Sequence, residues 1–116
     1  MKFLSIYRIP NRENTDGSPE MSETDEAALV KFVEESMANG TLLATGGLGP
    51  SAGGAKVRRE GGKVSVTDGP FTEAKELVAG YAVLELGSKD EAVEMSKRFL
   101  AIVGDGSSEV RELFPG

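Results

Sequence analysis

The amino-acid sequence predicts an α+β protein in which two helices pack on one face of a four-stranded antiparallel sheet. Apolar and polar residues alternate near both ends of the chain, two helical segments begin with capping motifs, and a Gly-Gly pair joins two short strands. Each pattern is typical of one element of such a domain. The length of 116 residues predicts a single domain, residues 1–116.

The first half of the predicted core is a strand, a helix and a strand. Residues 1–8 alternate and predict the first strand. Ser22, with Asp25 three positions later, indicates the start of a helix, and Asn39 followed by glycine indicates its end. Residues 41–45 predict the second strand. The stripe expected to face the core consists of Leu29, Phe32, Val33 and Met37.

A glycine-rich segment and a hairpin follow. Residues 46–54 predict either a flexible connector or a loop that lines a ligand, but they lack the Gly-Lys-Ser/Thr of a phosphate-binding P-loop. Residues 55–60 and 63–67 flank Gly61-Gly62, which is a strong signal for a two-residue hairpin turn.

The second half of the core is again a strand, a helix and a strand. Residues 77–86 are nearly all apolar and predict the longest, central strand. Ser88 with Glu91 indicates a second capped helix, Gly104 its end, and residues 109–114 the last strand. The inner stripe of this helix is expected to contain Ala92, Phe99, Leu100 and Val103.

Without the hairpin, the order of elements is β-α-β-β-α-β, the ferredoxin-like arrangement. The hairpin is then an insertion between the second and third core strands. Both helices cover the same sheet face, so the other face is left bare. Because a chain this small cannot leave an apolar sheet face uncovered, we expect a homodimer.

The motif Asp68-Gly69-Pro70-Phe71 is the most distinctive part of the sequence. Proline fixes φ, glycine tolerates backbone conformations that other residues avoid, and aspartate can bond to the backbone that follows it. Asp68 is therefore open to two interpretations. It either shapes the turn through its side chain, or it contacts a ligand or accepts a proton.

The sequence resembles the YCII-related family, and within it the branch named for the DGPF motif. This resemblance implies a ferredoxin-like fold assembled as a dimeric α+β barrel, with a cleft near the dimer interface. Many members are uncharacterised, some are encoded beside alternative sigma factors, and a few relatives act on small chlorinated ring-cleavage acids. The segments that carry the resemblance are residues 1–7, 48–51, 57–58, 66–71, 73–77, 80–81 and 109–114.

One difference from the wider family concerns catalysis. Relatives with a proposed active site use a His-Asp pair, whereas this chain contains no histidine. Histidine is the usual general acid or base near neutral pH. Without it, a carboxylate would need burial to raise its pKa, or Lys75 would need burial to lower its own, and Asp68 is the best candidate.

Composition excludes several other classes of function. The net charge of −6 argues against a nucleic-acid partner, and the cluster Lys56, Arg58 and Arg59 is either a solvated strand edge or an anion site. No apolar run is long enough for a membrane span. The absence of cysteine fits a cytoplasmic location. We predict no metal site and no cofactor.

Three hypotheses of function follow. The first is a homodimer that binds a small molecule, in one version an anion, in a cleft near the dimer interface. The second is a lyase or hydrolase of a small organic acid with Asp68 as general base. The third is an accessory protein that interacts with a transcription regulator. The predicted ligand-binding residues are Tyr7, Arg58, Asp68, Gly69, Pro70, Phe71, Glu73 and Lys75, and the predicted catalytic residue is Asp68.

Overall fold

The computed structural model describes residues 1–11 and 21–115. Within this part of the chain, two helices and six strands alternate in the predicted order. The helices are α1 (Glu23–Ala38) and α2 (Lys89–Val103). The strands are β1 (Lys2–Pro10), β2 (Leu42–Gly47), β3 (Ala55–Glu60), β4 (Lys63–Asp68), β5 (Glu76–Glu85) and β6 (Ser107–Glu112).

Four of these strands form the main sheet in the order β2-β5-β1-β6, and all of their pairings are antiparallel. The two central strands are β5 and β1, which confirms the prediction of a long central strand. This order, with a helix after the first and third core strands, is the ferredoxin-like arrangement that the sequence predicts. The hairpin β3–β4 forms a separate two-stranded sheet between β2 and β5 in the chain.

Both helices cover the sheet face that carries Phe3. The core consists of Phe3, Leu42 and Leu84 from three strands and Ala92 from α2. On the same face, the ring of Tyr7 meets the ring of Phe99 edge to face, with ring centroids 5.1 Å apart. Alternation along β1 therefore buries its odd-numbered residues under the helices.

The helix ends follow the capping rules. The Ser22 hydroxyl accepts a hydrogen bond from the Asp25 N–H, and the Ser88 hydroxyl accepts one from the Glu91 N–H. The prediction for the α1 stripe was wrong at its last position. Met37 is 47% exposed, and Ser36 is buried instead, because Phe32 and Ser36 lie one turn apart on the side that faces the sheet.

The hairpin projects from the body of the protein. We call residues 55–68 the arm. The turn residues Gly61 and Gly62 have positive φ, as the predicted two-residue turn requires. Every residue of β3 and β4 is exposed, and the arm makes few contacts with the other helices and strands.

The sheet face opposite the helices has no covering element among the described residues. Its centre carries the half-buried apolar residues Leu4, Ile6 and Val83, with Tyr81 beside them. At its edge, the Arg8 guanidinium and the Glu109 carboxylate form an ion pair with an N–O distance of 2.8 Å. We call this surface the helix-free face. Neither described helix combines the length and apolar character needed to cross a membrane.

Candidate functional site

The structure contains a cavity of about 380 Å³ between the helices and the sheet. We call it the helix–sheet cavity. The side chains around it are aromatic, aliphatic or hydroxyl-bearing, and none of those from the described residues carries a charge. They include Tyr7, Phe32 and Phe99 from three elements, and glycines of β2 and β5 leave room beside them. An apolar cavity with a few polar groups is the usual form of a small-molecule site.

Tyr7 is the predicted ligand-binding residue that lies in this cavity. Its hydroxyl donates a hydrogen bond of 3.4 Å to the Asp105 backbone carbonyl. Burial raises the pKa of the Tyr7 phenol above its usual value, and the nearby negative charge of Asp105 raises it further. The phenol is therefore neutral at physiological pH and is available as a hydrogen-bonding group rather than as a base.

A pair of serines supplies another polar contact in the cavity. The hydroxyls of Ser5 on β1 and Ser108 on β6 lie 3.3 Å apart on the helix-covered face. Neither residue was predicted from the sequence. The signal that was available is that Ser5 occupies a core position in an otherwise apolar alternation, where a polar group needs a partner.

A second cavity of about 350 Å³ lies at the DGPF motif. We call it the Phe71 cleft. Its walls include Ile9 and Leu77 from paired positions of the sheet, together with Phe71, Lys56 and Glu76. Part of its wall is the backbone of the glycine-rich segment, from Leu48 to Ser51 and at Gly54. Residues of that segment thus line this cleft, and their contact with a ligand stays a prediction.

A β-bulge lies between the two cavities. In the pairing of β1 with β5, Tyr7 lies opposite Gly80 and Arg8 lies opposite Val78, so Ala79 is the extra residue. Ala79 lines both cavities, and its carbonyl accepts a hydrogen bond of 2.8 Å from the Leu48 N–H. Bulges are frequent next to functional sites because they redirect the strand.

The DGPF turn is held by contacts that are distant in sequence. The Gly69 N–H donates to the Gly54 carbonyl at 2.8 Å, and the Phe71 N–H donates to the Ser51 hydroxyl at 3.0 Å. The Gly69–Pro70 peptide bond is cis. Gly69 does not have a positive φ; glycine is required because a Cβ there would lie 1.6 Å from the Ser51 carbonyl oxygen.

Asn11 closes the far end of the motif. Its side-chain amide donates to the carbonyls of Phe71 at 3.1 Å and Ala74 at 2.9 Å, and its backbone N–H donates to the Lys75 carbonyl. The chain after Phe71 is therefore fixed to the end of β1. Asn11 was not predicted from the sequence, because these partners lie sixty or more positions away.

The structure does not bring Asp68 and Arg58 together. In the β3–β4 pairing, Asp68 lies opposite Ala55 and Arg58 lies opposite Ser65. Ala55 and Arg58 are an odd number of positions apart, so the two charged side chains point to opposite faces of the arm. Both residues are exposed, and neither is among the side chains that line the two cavities.

The Asp68 carboxylate has no hydrogen-bond partner among residues 1–11 and 21–115. If Asp68 shapes the turn, it does so without a hydrogen bond from its side chain. The Ser51 hydroxyl, and not Asp68, accepts the hydrogen bond from the Phe71 N–H. The Asp68 side chain is also exposed to solvent rather than buried. Catalysis by Asp68 stays a prediction.

The remaining predicted residues lie at or near the Phe71 cleft. Phe71 is half-buried and lines it, and the Lys56 ammonium lies 4.5 Å from the centroid of its ring. Pro70, Glu73 and Lys75 are exposed and do not line it. Lys56 belongs to the basic cluster noted in the sequence, but its position over Phe71 depends on the arm and was not predicted.

Within the described ranges, no three acidic side chains come close enough together to hold a metal ion. The carboxylates of the motif segment do not form such a group, and histidine and cysteine do not occur in the chain. The two cavities are therefore the candidate sites, and their chemistry is that of apolar contact, hydroxyl hydrogen bonding and, in the Phe71 cleft, the ammonium group of Lys56 and the carboxylate of Glu76.

Comparison with known proteins places this geometry in a family. The family model for the YCII-related domain matches residues 1–115. An uncharacterized protein of Rhizobium meliloti (strain 1021) is 36% identical over 84 residues, which cover 72% of this chain and 64% of that protein. The chain thus spans somewhat less than two thirds of the length of the curated relative it matches. Because the family model covers nearly the whole chain and the fold agrees, the protein belongs to the YCII-related family.

Proposed function

We propose that the protein is a homodimer that binds a small, uncharged and largely apolar molecule in the helix–sheet cavity. One observation carries this proposal: a cavity of about 380 Å³ that is lined by aromatic and aliphatic side chains and a few hydroxyl groups. A cavity of this size and composition is suited to an aromatic or alicyclic molecule that bears one or two hydroxyl groups.

The absence of charge in the described lining favours a neutral ligand. Moving an ionised group from water into an apolar cavity is costly unless an opposite charge or several hydrogen bonds compensate it. The described lining offers hydroxyls instead, from Tyr7 and from the Ser5–Ser108 pair. A ligand hydroxyl can exchange hydrogen bonds with these groups, which fixes its orientation.

The homodimer is supported by the area that a single chain exposes. The accessible surface is 8069 Å², whereas a compact monomer of this mass exposes roughly 6,100 Å². The excess of roughly 2,000 Å² per chain is in the range that permanent dimers bury. The helix-free face, with Leu4, Ile6 and Val83 at its centre, is the apolar surface that we propose to pair with its copy.

We further propose that the chain belongs to the DGPF-motif branch and acts in the cytoplasm. The branch is supported by residues 66–71 and by the segment that follows them, which includes Gly80-Tyr81. The location is supported by the absence of cysteine, which is usual in reducing compartments.

The helix–sheet cavity is tested with neutral and anionic probes of similar shape. 4-Ethylphenol is neutral at pH 7, and 4-hydroxybenzoate carries a carboxylate. We expect 4-ethylphenol to raise the Tm of the protein, because a ligand at one hundred times its Kd stabilises the fold by about 2.7 kcal/mol. Isothermal titration then gives the stoichiometry, which should be one per chain.

Two variants, in each of which an alanine is replaced by leucine, locate the bound probe. Ala82→Leu places extra volume in the helix–sheet cavity, whereas Ala101→Leu makes the same change on the exposed side of α2. We expect Ala82→Leu to abolish the shift and Ala101→Leu to keep it. Ser108→Leu is a second filling variant, for use if Ala82→Leu lowers the Tm without probe. Indole serves as a second neutral aromatic probe. The proposal fails if the Tm of Ala82→Leu and that of Ala101→Leu respond alike to the probe, or if neither 4-ethylphenol nor indole binds.

A second candidate is an anionic ligand in the Phe71 cleft. The observation that favours it is the Lys56 ammonium, which lies over the Phe71 ring at the wall of this cleft. An ammonium beside an aromatic ring can bind a carboxylate on an apolar body. In that case 4-hydroxybenzoate, and not 4-ethylphenol, shifts the Tm; Lys56→Met removes the shift, and Ala82→Leu leaves it unchanged.

A further inference from the structure

The arm carries an exposed apolar face that the described part of the chain does not cover. Val57, Val64 and Val66 are 70%, 64% and 62% exposed, which are high values for valine. Val57 lies directly opposite Val66, and Val64 is two positions from Val66 on the same strand. The three side chains therefore share one face of the two-stranded sheet, which also carries Arg59 opposite Val64 and Asp68 opposite Ala55.

The arm also lacks the packing that usually stabilises a hairpin. A two-stranded hairpin alone in water is at best marginally stable, and it normally needs a further strand or a helix against its apolar face. Here β3 and β4 pair only with each other in the described structure, and all twelve of their residues are exposed. An apolar face on such a hairpin indicates a surface that another molecule covers.

Charge indicates what that molecule is. The arm contains four basic residues, Lys56, Arg58, Arg59 and Lys63, and two acidic ones, Glu60 and Asp68. Its formal charge is thus +2, whereas the whole chain has −6, so the remainder of the chain carries −8. Two arms repel each other, but an arm is attracted to the acidic body of a second copy.

We infer that the arm of each chain crosses to a second copy of this chain and lays its valine face on the body of that copy. This inference rests on the proposed homodimer and adds to it the surface that each chain contributes beyond the helix-free face. Because Lys56 and Phe71 at the base of the arm line the Phe71 cleft, the crossing also fixes the wall of that cleft.

The chain contains no cysteine, so a single introduced cysteine can carry a photo-crosslinker. Val57→Cys places benzophenone maleimide on the valine face, and Arg58→Cys places it on the opposite face, one residue away. After irradiation of the full-length protein, we expect Val57→Cys to give a covalent dimer at twice the chain mass of 12.2 kDa. Arg58→Cys should give none. Mass spectrometry should map the attachment to partner residues outside 55–68.

Sedimentation of the same labelled proteins separates the two proposals. If Val57→Cys sediments as a dimer but gives no covalent dimer, or crosslinks within its own chain, the arm inference is overturned and the homodimer stands. If both variants crosslink equally, or if attachment maps to the partner's arm, the assignment of the valine face to an acidic body is overturned. If wild type and variants sediment as monomers, the homodimer and the arm inference fail together.

Discussion

At the scale of single residues, the DGPF motif depends on one close approach of backbone to backbone. Gly69 lies against the Ser51 carbonyl, and a Cβ there would lie 1.6 Å from the oxygen and 2.5 Å from the carbonyl carbon. Neither atom belongs to a flexible side chain that can move aside. The glycine of the motif is thus explained by packing, and the aspartate before it makes no comparable contact among the described residues.

Gly69→Ala should therefore destabilise the protein by about 3 kcal/mol or more, at the upper end of what overpacking costs. The clash forces the turn away from Ser51 and weakens the hydrogen bonds that Gly69 and Phe71 make there. The free energy of unfolding from urea titration measures the effect.

Two variants serve as controls for this substitution. Gly53→Ala lies in the same loop, where a Cβ has no atom within 4 Å, so we expect a change within about 0.5 kcal/mol. Asp68→Asn should change stability by less than about 1 kcal/mol and leave probe binding intact, because the carboxylate is exposed and outside both cavities. Equal losses of stability at Gly69 and Gly53 would contradict the explanation by packing, and loss of binding in Asp68→Asn would favour the ligand contact that the sequence left open for Asp68.

At the scale of elements, the base of the arm is fixed by Phe71. Its ring is half-buried, contacts the Lys56 ammonium and lies near Gly54, while its N–H is bonded to Ser51. Phe71 thus joins the end of the arm to the loop that lines the cleft. Truncation of a fully buried phenylalanine to alanine lowers the free energy of unfolding by about 3–5 kcal/mol, and a half-buried ring contributes less.

Phe71→Ala should accordingly lower the free energy of unfolding by about 2–3 kcal/mol. Phe71→Leu is the matched control, because it keeps an apolar side chain at the base of the arm while removing the ring, and it should cost less than half as much. Urea titration of both variants provides the comparison. A loss below about 0.5 kcal/mol in Phe71→Ala would mean that the ring does not hold this element in place.

Local signals account for the elements that could be predicted from the sequence. Ser22 and Ser88 cap helices through contacts three residues away, and Gly61-Gly62 forms a turn through its own backbone. Such features depend on neighbours in the chain, so a short window of sequence contains all of the information. Alternation likewise predicted the first and last strands, and a nearly continuous apolar run predicted the central one, which together gave the ferredoxin-like order.

The candidate site could be predicted only in part, because it depends on contacts between distant segments. Tyr7 and Phe71 were identified, yet they line different cavities. The Ser5–Ser108 pair and the contacts of Asn11 join residues that lie far apart in sequence. The motif also drew attention to Asp68, although its position on an exposed strand places it outside both cavities.

At the scale of the whole molecule, a single chain is more extended than its length requires. Its radius of gyration is 15.8 Å, whereas a compact domain of this length has roughly 13 Å. The projecting arm and the bare helix-free face are the features that a second copy would cover. The functional unit that we propose is therefore a homodimer, in which each chain has its own helix–sheet cavity.

Sedimentation equilibrium at micromolar concentration tests this claim most directly. We expect a single species at twice the chain mass of 12.2 kDa. The excess surface of each chain is large enough for an interface of the size found in permanent dimers. Ile6→Lys, at the centre of the helix-free face, should shift the equilibrium towards monomer, since a buried unpaired ammonium is costly. Wild-type protein that sediments at 12.2 kDa throughout this concentration range would contradict the account.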